Sequence, residues 1–203
     1  YALIAYILLK SKNKVKYPVA IFIFFLAGYQ LSEFFVFLTK SQLSIQTAFI
    51  STLILHPAAL KSLEVLTKRN LGFKISLVMA LGISAMLIAN PNLIAYVNEC
   101  YCIAKFVTAE NSSTFTIIYF NYYTASLVYG AFITAYLSFK TKDKKLRNTL
   151  RIWFTCYAIL FPGSILLLSA FTNRINDYSA SFMCAIALSV AFLATYTVVK
   201  KDK

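Results

Sequence analysis

The sequence predicts an all-α membrane protein: a seven-transmembrane helix bundle with its N-terminus outside, its C-terminus cytoplasmic and its first helix truncated. Three observations carry this reading. Mean hydropathy is +0.70 and 60% of residues are apolar, far above the share in a soluble domain. The apolar residues arrive in blocks close to the about 20 residues that a helix needs to cross a bilayer. The third observation is the sorting of charge between linkers. Rich linkers hold Lys10, Lys12, Lys14 and Lys16; Lys61, Lys68, Arg69 and Lys74; Lys140, Lys142, Lys144, Lys145, Arg147 and Arg151; and Lys200, Lys201 and Lys203. The linkers between them hold only Lys40, Lys105 and Arg174 of the 20 basic residues. Positive loops stay cytoplasmic during insertion, so this strict alternation gives both the number of spans and their orientation.

The elements follow in order. The apolar run over 1–9 rises about 14 Å against a hydrocarbon core of about 30 Å, so it reads as the inner half of a first span whose beginning is missing. Its charges follow the apolar run instead of preceding it, unlike a cleavable signal peptide. The second span covers 18–38, with Pro18 at a tolerated first-turn position. The third, 43–66, returns inward, and the fourth, 73–89, stops at the Asn90-Pro91 breaker. A long outer linker then carries Tyr96, Cys100, Tyr101 and Cys102 up to Ser113. The fifth, sixth and seventh spans cover 114–139, 150–170 and 179–199, the last without Gly or Pro.

Composition limits the partners. A formal charge of +13 suggests nucleic acid in a soluble protein, but here loop topology and attraction to anionic inner-leaflet lipid explain it, and nucleic acid is not expected. The lipid bilayer and an unknown small ligand are the expected partners, and a homodimer is compatible with the sequence. Localisation follows: a multi-pass protein of the cell membrane, the inner membrane if Gram-negative. No cofactor is expected. Cys100 and Cys102 lack the second pair or nearby His that zinc needs, so no metal is expected; two free thiols and an oxidised pair both remain open. Cys156 and Cys184 lie at different depths, which argues against a disulfide between them.

Several polar residues stand out inside the spans. Glu33 is a carboxylate near the outer end of the second span, with Gln30 one turn inward on the same face; facing lipid it would cost several kcal/mol, so it should turn inward. His56, the only histidine, sits near mid-membrane before Pro57, whose missing N–H kinks helices and often neighbours cavities. His56 and Pro57 are therefore candidates for a switch, although a lone histidine is usually a satisfied core residue. Tyr119, Tyr122, Ser126 and Tyr129 share one face of the fifth span, and Tyr129 is too deep for an interfacial belt. Grouped by depth, Gln30, Glu33, Gln46, Ser51, Asn121, Tyr122, Ser169 and Ser181 occupy outer halves of their helices, as the walls of an outward-opening ligand cavity would. The same residues could serve as packing glue between helices. Glu64 can pair with Lys61 at i,i+3, and Trp153 beside Arg151 reads as an inner-interface anchor.

The seventh span has no Lys for a retinal Schiff base, and no Walker loop, HExxH or GxSxG is present, so no catalytic residue is assigned. The run Leu26-Ala27-Gly28-Tyr29-Gln30-Leu31-Ser32-Glu33-Phe34-Phe35, then Leu53-Ile54-Leu55-His56-Pro57-Ala58-Ala59-Leu60 and Thr67-Lys68-Arg69-Asn70, resembles the seven-transmembrane amino-terminal sensor region of histidine kinases and related signalling proteins. The tyrosine-rich fifth span and the last span running into Lys200-Lys201 extend the resemblance over nearly the whole chain. The resemblance implies a receptor module that binds a ligand from the outer side and signals through its last helix to a cytoplasmic output domain. Any kinase or cyclase activity would lie in such a domain, beyond Lys203. Two other classes stay open: a small proton-coupled secondary transporter using Glu33 or His56, with Pro162-Gly163 as a second helix break, and a non-catalytic structural membrane subunit, for which no strong GxxxG stripe is seen.

Overall fold

The computed structural model describes residues 11–39, 41–93, 113–170 and 179–199, with Ala2, Tyr6, Ile7 and Leu9; the side chains at 33, 37, 113, 116, 120, 160–170 and 179–187 are outside that description. Among the described residues the chain is helical and has no strand. Six helices are defined: α1 (Lys16–Thr39), α2 (Gln42–Thr67), α3 (Phe73–Ala89), α4 (Ser113–Lys140), α5 (Lys144–Ala170) and α6 (Ser179–Val199). A short 3-10 turn, Pro91–Leu93, follows α3. Two segments, Lys16–Val36 and Gln42–Thr67, are long and apolar enough to cross a membrane.

Local chemistry sets the helix ends. Asn13 accepts from the Val15 N–H at 3.1 Å just before α1. Asp143 caps α5 by accepting from the N–H groups of Lys145 at 2.8 Å and Leu146 at 3.3 Å. That cap explains why α5 starts at Lys144 and not at Leu150, where the apolar run begins: with its end satisfied, the helix takes in the basic residues that precede the run. Between α2 and α3 the chain reverses through Lys68 at φ 55° and Gly72 at φ 82°. Glu64 holds this turn closed. Its Oε1 accepts from the N–H groups of Leu71 at 3.0 Å and Phe73 at 3.2 Å, at the positive end of α3. Its Oε2 pairs with Lys61 Nζ at 3.5 Å, and that ammonium also lies 4.9 Å from the Phe73 ring centre.

Packing is antiparallel between chain neighbours. The most extensive contacts join α1 to α2, α4 to α5 and α2 to α3, while α6 packs on α5 and turns back onto α1. Helix α2 thus meets α1, α3 and α4. One buried cluster gathers Phe22, Leu63, Leu150, Trp153 and Ala194 from α1, α2, α5 and α6, and also takes in Ile7. A second gathers Phe49, Leu53, Ala80, Leu87, Phe115 and Tyr122 from α2, α3 and α4. Trp153 is only 1% exposed and meets Phe22 edge-on with ring centres 5.8 Å apart. It is therefore a core residue and not the inner-interface anchor expected of it, because the space between α1 and α5 accommodates the whole indole.

The outward faces are as apolar as the core. Ile21, Phe24 and Phe34 on α1, Ile75, Val78 and Ile88 on α3, and Phe132 and Phe139 on α4 are all exposed. Buried polar residues, by contrast, are mostly Ser and Thr that bond back to their own helix, such as Ser32 to Gly28 C=O at 2.7 Å and Ser62 to Ala58 C=O at 2.9 Å.

Candidate functional site

The site begins with a backbone defect. Pro57 lies inside α2 and has no N–H, so the Leu53 carbonyl one turn earlier loses its helical partner. A buried carbonyl left alone costs about 1–3 kcal/mol. Tyr122 of α4 supplies a donor: its hydroxyl lies 3.3 Å from Leu53 O. The same hydroxyl lies 3.2 Å from Ser76 O and 3.2 Å from Ser76 Oγ, on α3. One side chain therefore joins three helices.

Two further tyrosines extend this pattern along α4. Thr52 spends its proton on Phe49 O at 2.7 Å, so in its 2.7 Å contact with Tyr119 the tyrosine must be the donor. Near the other end, the Tyr129 hydroxyl donates to Leu71 O in the α2–α3 turn at 3.1 Å. Tyr123 stacks on Tyr119, with centres 6.1 Å apart. The tyrosine stripe thus ties α4 to the α2–α3 hairpin.

Alongside these ties the two outer helices stand apart. Between α3 and α4 lies a crevice of ≈ 880 Å³, floored by His56 and Leu60 of α2. One wall is α3 from Gly72 to Met86; the other is α4 from Ile117 to Tyr129. The rim residues Ile75, Met79, Met86, Ile117 and Ile118 are exposed, so the crevice opens along the side of the bundle. Its polar lining is confined to His56, Ser76, Asn121, Tyr122, Ser126 and Tyr129.

His56 is 8% exposed, and its Nδ1 is buried with no hydrogen-bond partner. Its ring lies edge-on to Tyr157 of α5, centres 6.1 Å apart. The Tyr157 hydroxyl, Trp153 Nε1 and Arg147 Nε are likewise buried without a partner. Among the described residues no group of three His, Cys, Asp or Glu side chains gathers to hold a metal ion.

The crevice brings together His56, Asn121 and Tyr122 from the residues singled out in the sequence, with Pro57 buried behind His56. Others lie elsewhere. Gln46 Nε2 donates to Leu87 O at 3.2 Å, fastening the C-terminal end of α3 to α2. Ser51 is buried at the α1–α2 crossing, where a Cβ on Gly28 would lie 3.4 Å from its Oγ. Gln30 is half-buried on α1, a helix that contributes nothing to the crevice lining. The side chains of Glu33, Ser169 and Ser181 lie outside the described residues, as do Cys100, Cys102 and the side chain of Cys184. Cys156 is a buried free thiol.

The α3 wall was not foreseen, because Ile75, Met79 and Met86 are apolar residues of an apolar helix and carry no polar signal. One sequence signal did point to Tyr122. A proline inside an apolar helix creates an orphan carbonyl four residues earlier, and a tyrosine stripe on another span is a ready source of donors. Searches against protein-family models, curated proteins and solved structures give no match to this chain.

Proposed function

We propose that this chain is a multi-pass membrane protein of seven spans, N-terminus outside and C-terminus cytoplasmic, that works as a receptor module. On this reading it binds a small ligand in the crevice between α3 and α4 and passes the signal through α6 to a cytoplasmic output. The observation that carries the reading is a built crevice with an unpaired buried imidazole nitrogen at its floor, set between helices whose outward faces are apolar. The exposed apolar faces suit lipid as solvent, while the Tyr119, Tyr122 and Tyr129 hydroxyls bond between elements inside the bundle. Ligand binding shifts an equilibrium only if it favours one of two helix arrangements. A route for this runs from His56 to Tyr157 on α5, and from α5 to α6, which packs against it.

Two experiments test the proposal. In intact cells, with the four native cysteines replaced by serine, a membrane-impermeant maleimide should label Lys105→Cys and leave Lys144→Cys unlabelled; the opposite result overturns the orientation. Fused after Lys203 to the dimerisation and catalytic core of a histidine kinase, the chain should give ligand-dependent autophosphorylation when screened with membrane-lipid extracts and soluble metabolites. A two-residue insertion after Val199 should scramble that output while ligand affinity stays the same, and Asn121→Ala, on the crevice wall, should weaken binding. Solute movement across sealed vesicles that Glu33→Gln or His56→Phe abolishes would replace the receptor reading with a transporter.

A further inference from the structure

We infer that the crevice takes a single-chain amphiphile from the bilayer, entering sideways between α3 and α4 with an uncharged hydrogen-bonding group placed on His56. This rests on the receptor reading and names the class of its ligand. Shape is the first argument. The lining follows one face of α3 from Gly72 to Met86, a rise of about 21 Å, comparable to an extended acyl chain. The ≈ 880 Å³ of space falls in the range of small-molecule sites. Midway along the wall, a Cβ on Gly82 would meet nothing within 4 Å, so the crevice is open there.

Chemistry is the second argument. Lipid tails are as apolar as the crevice walls, so moving a bare hydrocarbon from bilayer to crevice gains little. Selection must come from a polar contact. His56 on the crevice floor offers one, and Asn121 on the α4 wall offers a second. A neutral imidazole presents one donor and one acceptor, so a hydroxyl or an un-ionised carboxyl satisfies either tautomer, whereas an alkane satisfies neither. His56 stands near the middle of α2, far from both helix ends. A phosphate or ammonium headgroup carried to that depth would be heavily penalised. The favoured ligand is therefore a long-chain alcohol or a protonated fatty acid.

The test uses the full chain in phosphatidylcholine nanodiscs, irradiated with hexadecanol carrying a mid-chain diazirine and a terminal alkyne. Labels should concentrate on 75–86 and 117–125, and unlabelled hexadecanol should compete them away while hexadecane does not. Filling the crevice with Gly82→Trp should abolish this labelling, and His56→Phe should reduce it about five-fold, the effect of one lost hydrogen bond. Background labelling of the exposed α1 face around Ile21 and Phe24 should not change. Equal labelling of the two faces, or equal competition by hexadecane, means annular lipid only and overturns the inference. If Gly82→Trp fails to fold, the contrast between hexadecanol and hexadecane on the native chain decides alone. Specific labelling without any effect of hexadecanol on the kinase fusion would leave the site standing and remove the receptor reading. A fusion that answers only to a different ligand would do the reverse.

Discussion

Helix α4 has two faces, and they solve opposite problems. Towards α5 it presents Gly130, Thr134 and Ser138, all buried and spaced by one helical turn. The two hydroxyls turn back onto their own helix, Thr134 to Gly130 O at 2.6 Å and Ser138 to Ala135 O at 2.8 Å, leaving a low surface on which the Tyr157 ring lies directly over Gly130. Towards α3 it presents Tyr122 and Tyr129, whose hydroxyls reach across to carbonyls. Small residues let backbones close a dry seam; long donors hold a neighbour at arm's length while still bonding to it. The spacing between helices is set by which kind of residue stands at the contact, and the crevice is the result of choosing tyrosine.

The same substitution placed in each region gives the largest contrast. Gly130→Ala drives a methyl into the Tyr157 ring, and overpacking of this kind should destabilise by about 1–3 kcal/mol, read as a lowered Tm in detergent. Gly82→Ala meets only open space and should instead gain about 0.5–1 kcal/mol from helix propensity. If both variants lost stability equally, the distinction between seam and crevice would fail.

Next in size is Tyr122→Phe, which strands the Leu53 carbonyl and should cost about 1–2 kcal/mol. Pro57→Ala gives that carbonyl its own N–H back, so the double variant should lose less than the sum of the singles, with a coupling of about 1 kcal/mol. Strict additivity would show that Tyr122 does not serve the proline defect. Glu64→Gln keeps the shape but not the charge at the start of α3 and should cost about 0.5–1 kcal/mol, with the loss shrinking at high salt. A loss independent of salt would assign the whole effect to hydrogen-bond geometry.

Legibility in the sequence followed physical range. Helices are local, so apolar runs bounded by Asn90-Pro91 or Lys68-Arg69-Asn70 could be read directly, and so could the i,i+3 relation of Lys61 and Glu64. The reach of Glu64 onward to the Leu71 and Phe73 N–H groups needs the chain reversal and was not visible. Tyr119, Tyr122 and Tyr129 were legible as one face, but the acceptors of Tyr122 and Tyr129 were not, since Leu53, Ser76 and Leu71 belong to other elements. The stripe of Gly130, Thr134 and Ser138 could have been found by accepting Thr and Ser as small residues in a four-residue repeat. Trp153 misled because tryptophan suits both an interface and a core, and only the position of Phe22 decides between them.

The hydroxyl of Tyr122 carries one proton and faces two carbonyls at nearly equal range, 3.3 Å to Leu53 and 3.2 Å to Ser76. Turning about a single C–O bond hands the proton from α2 to α3, and such side-chain torsions take picoseconds to nanoseconds. The acceptor released is never stranded for longer than that. A bond that can be exchanged in place acts as a bearing: the two helices can slip past each other by a fraction of an ångström without a broken-bond intermediate.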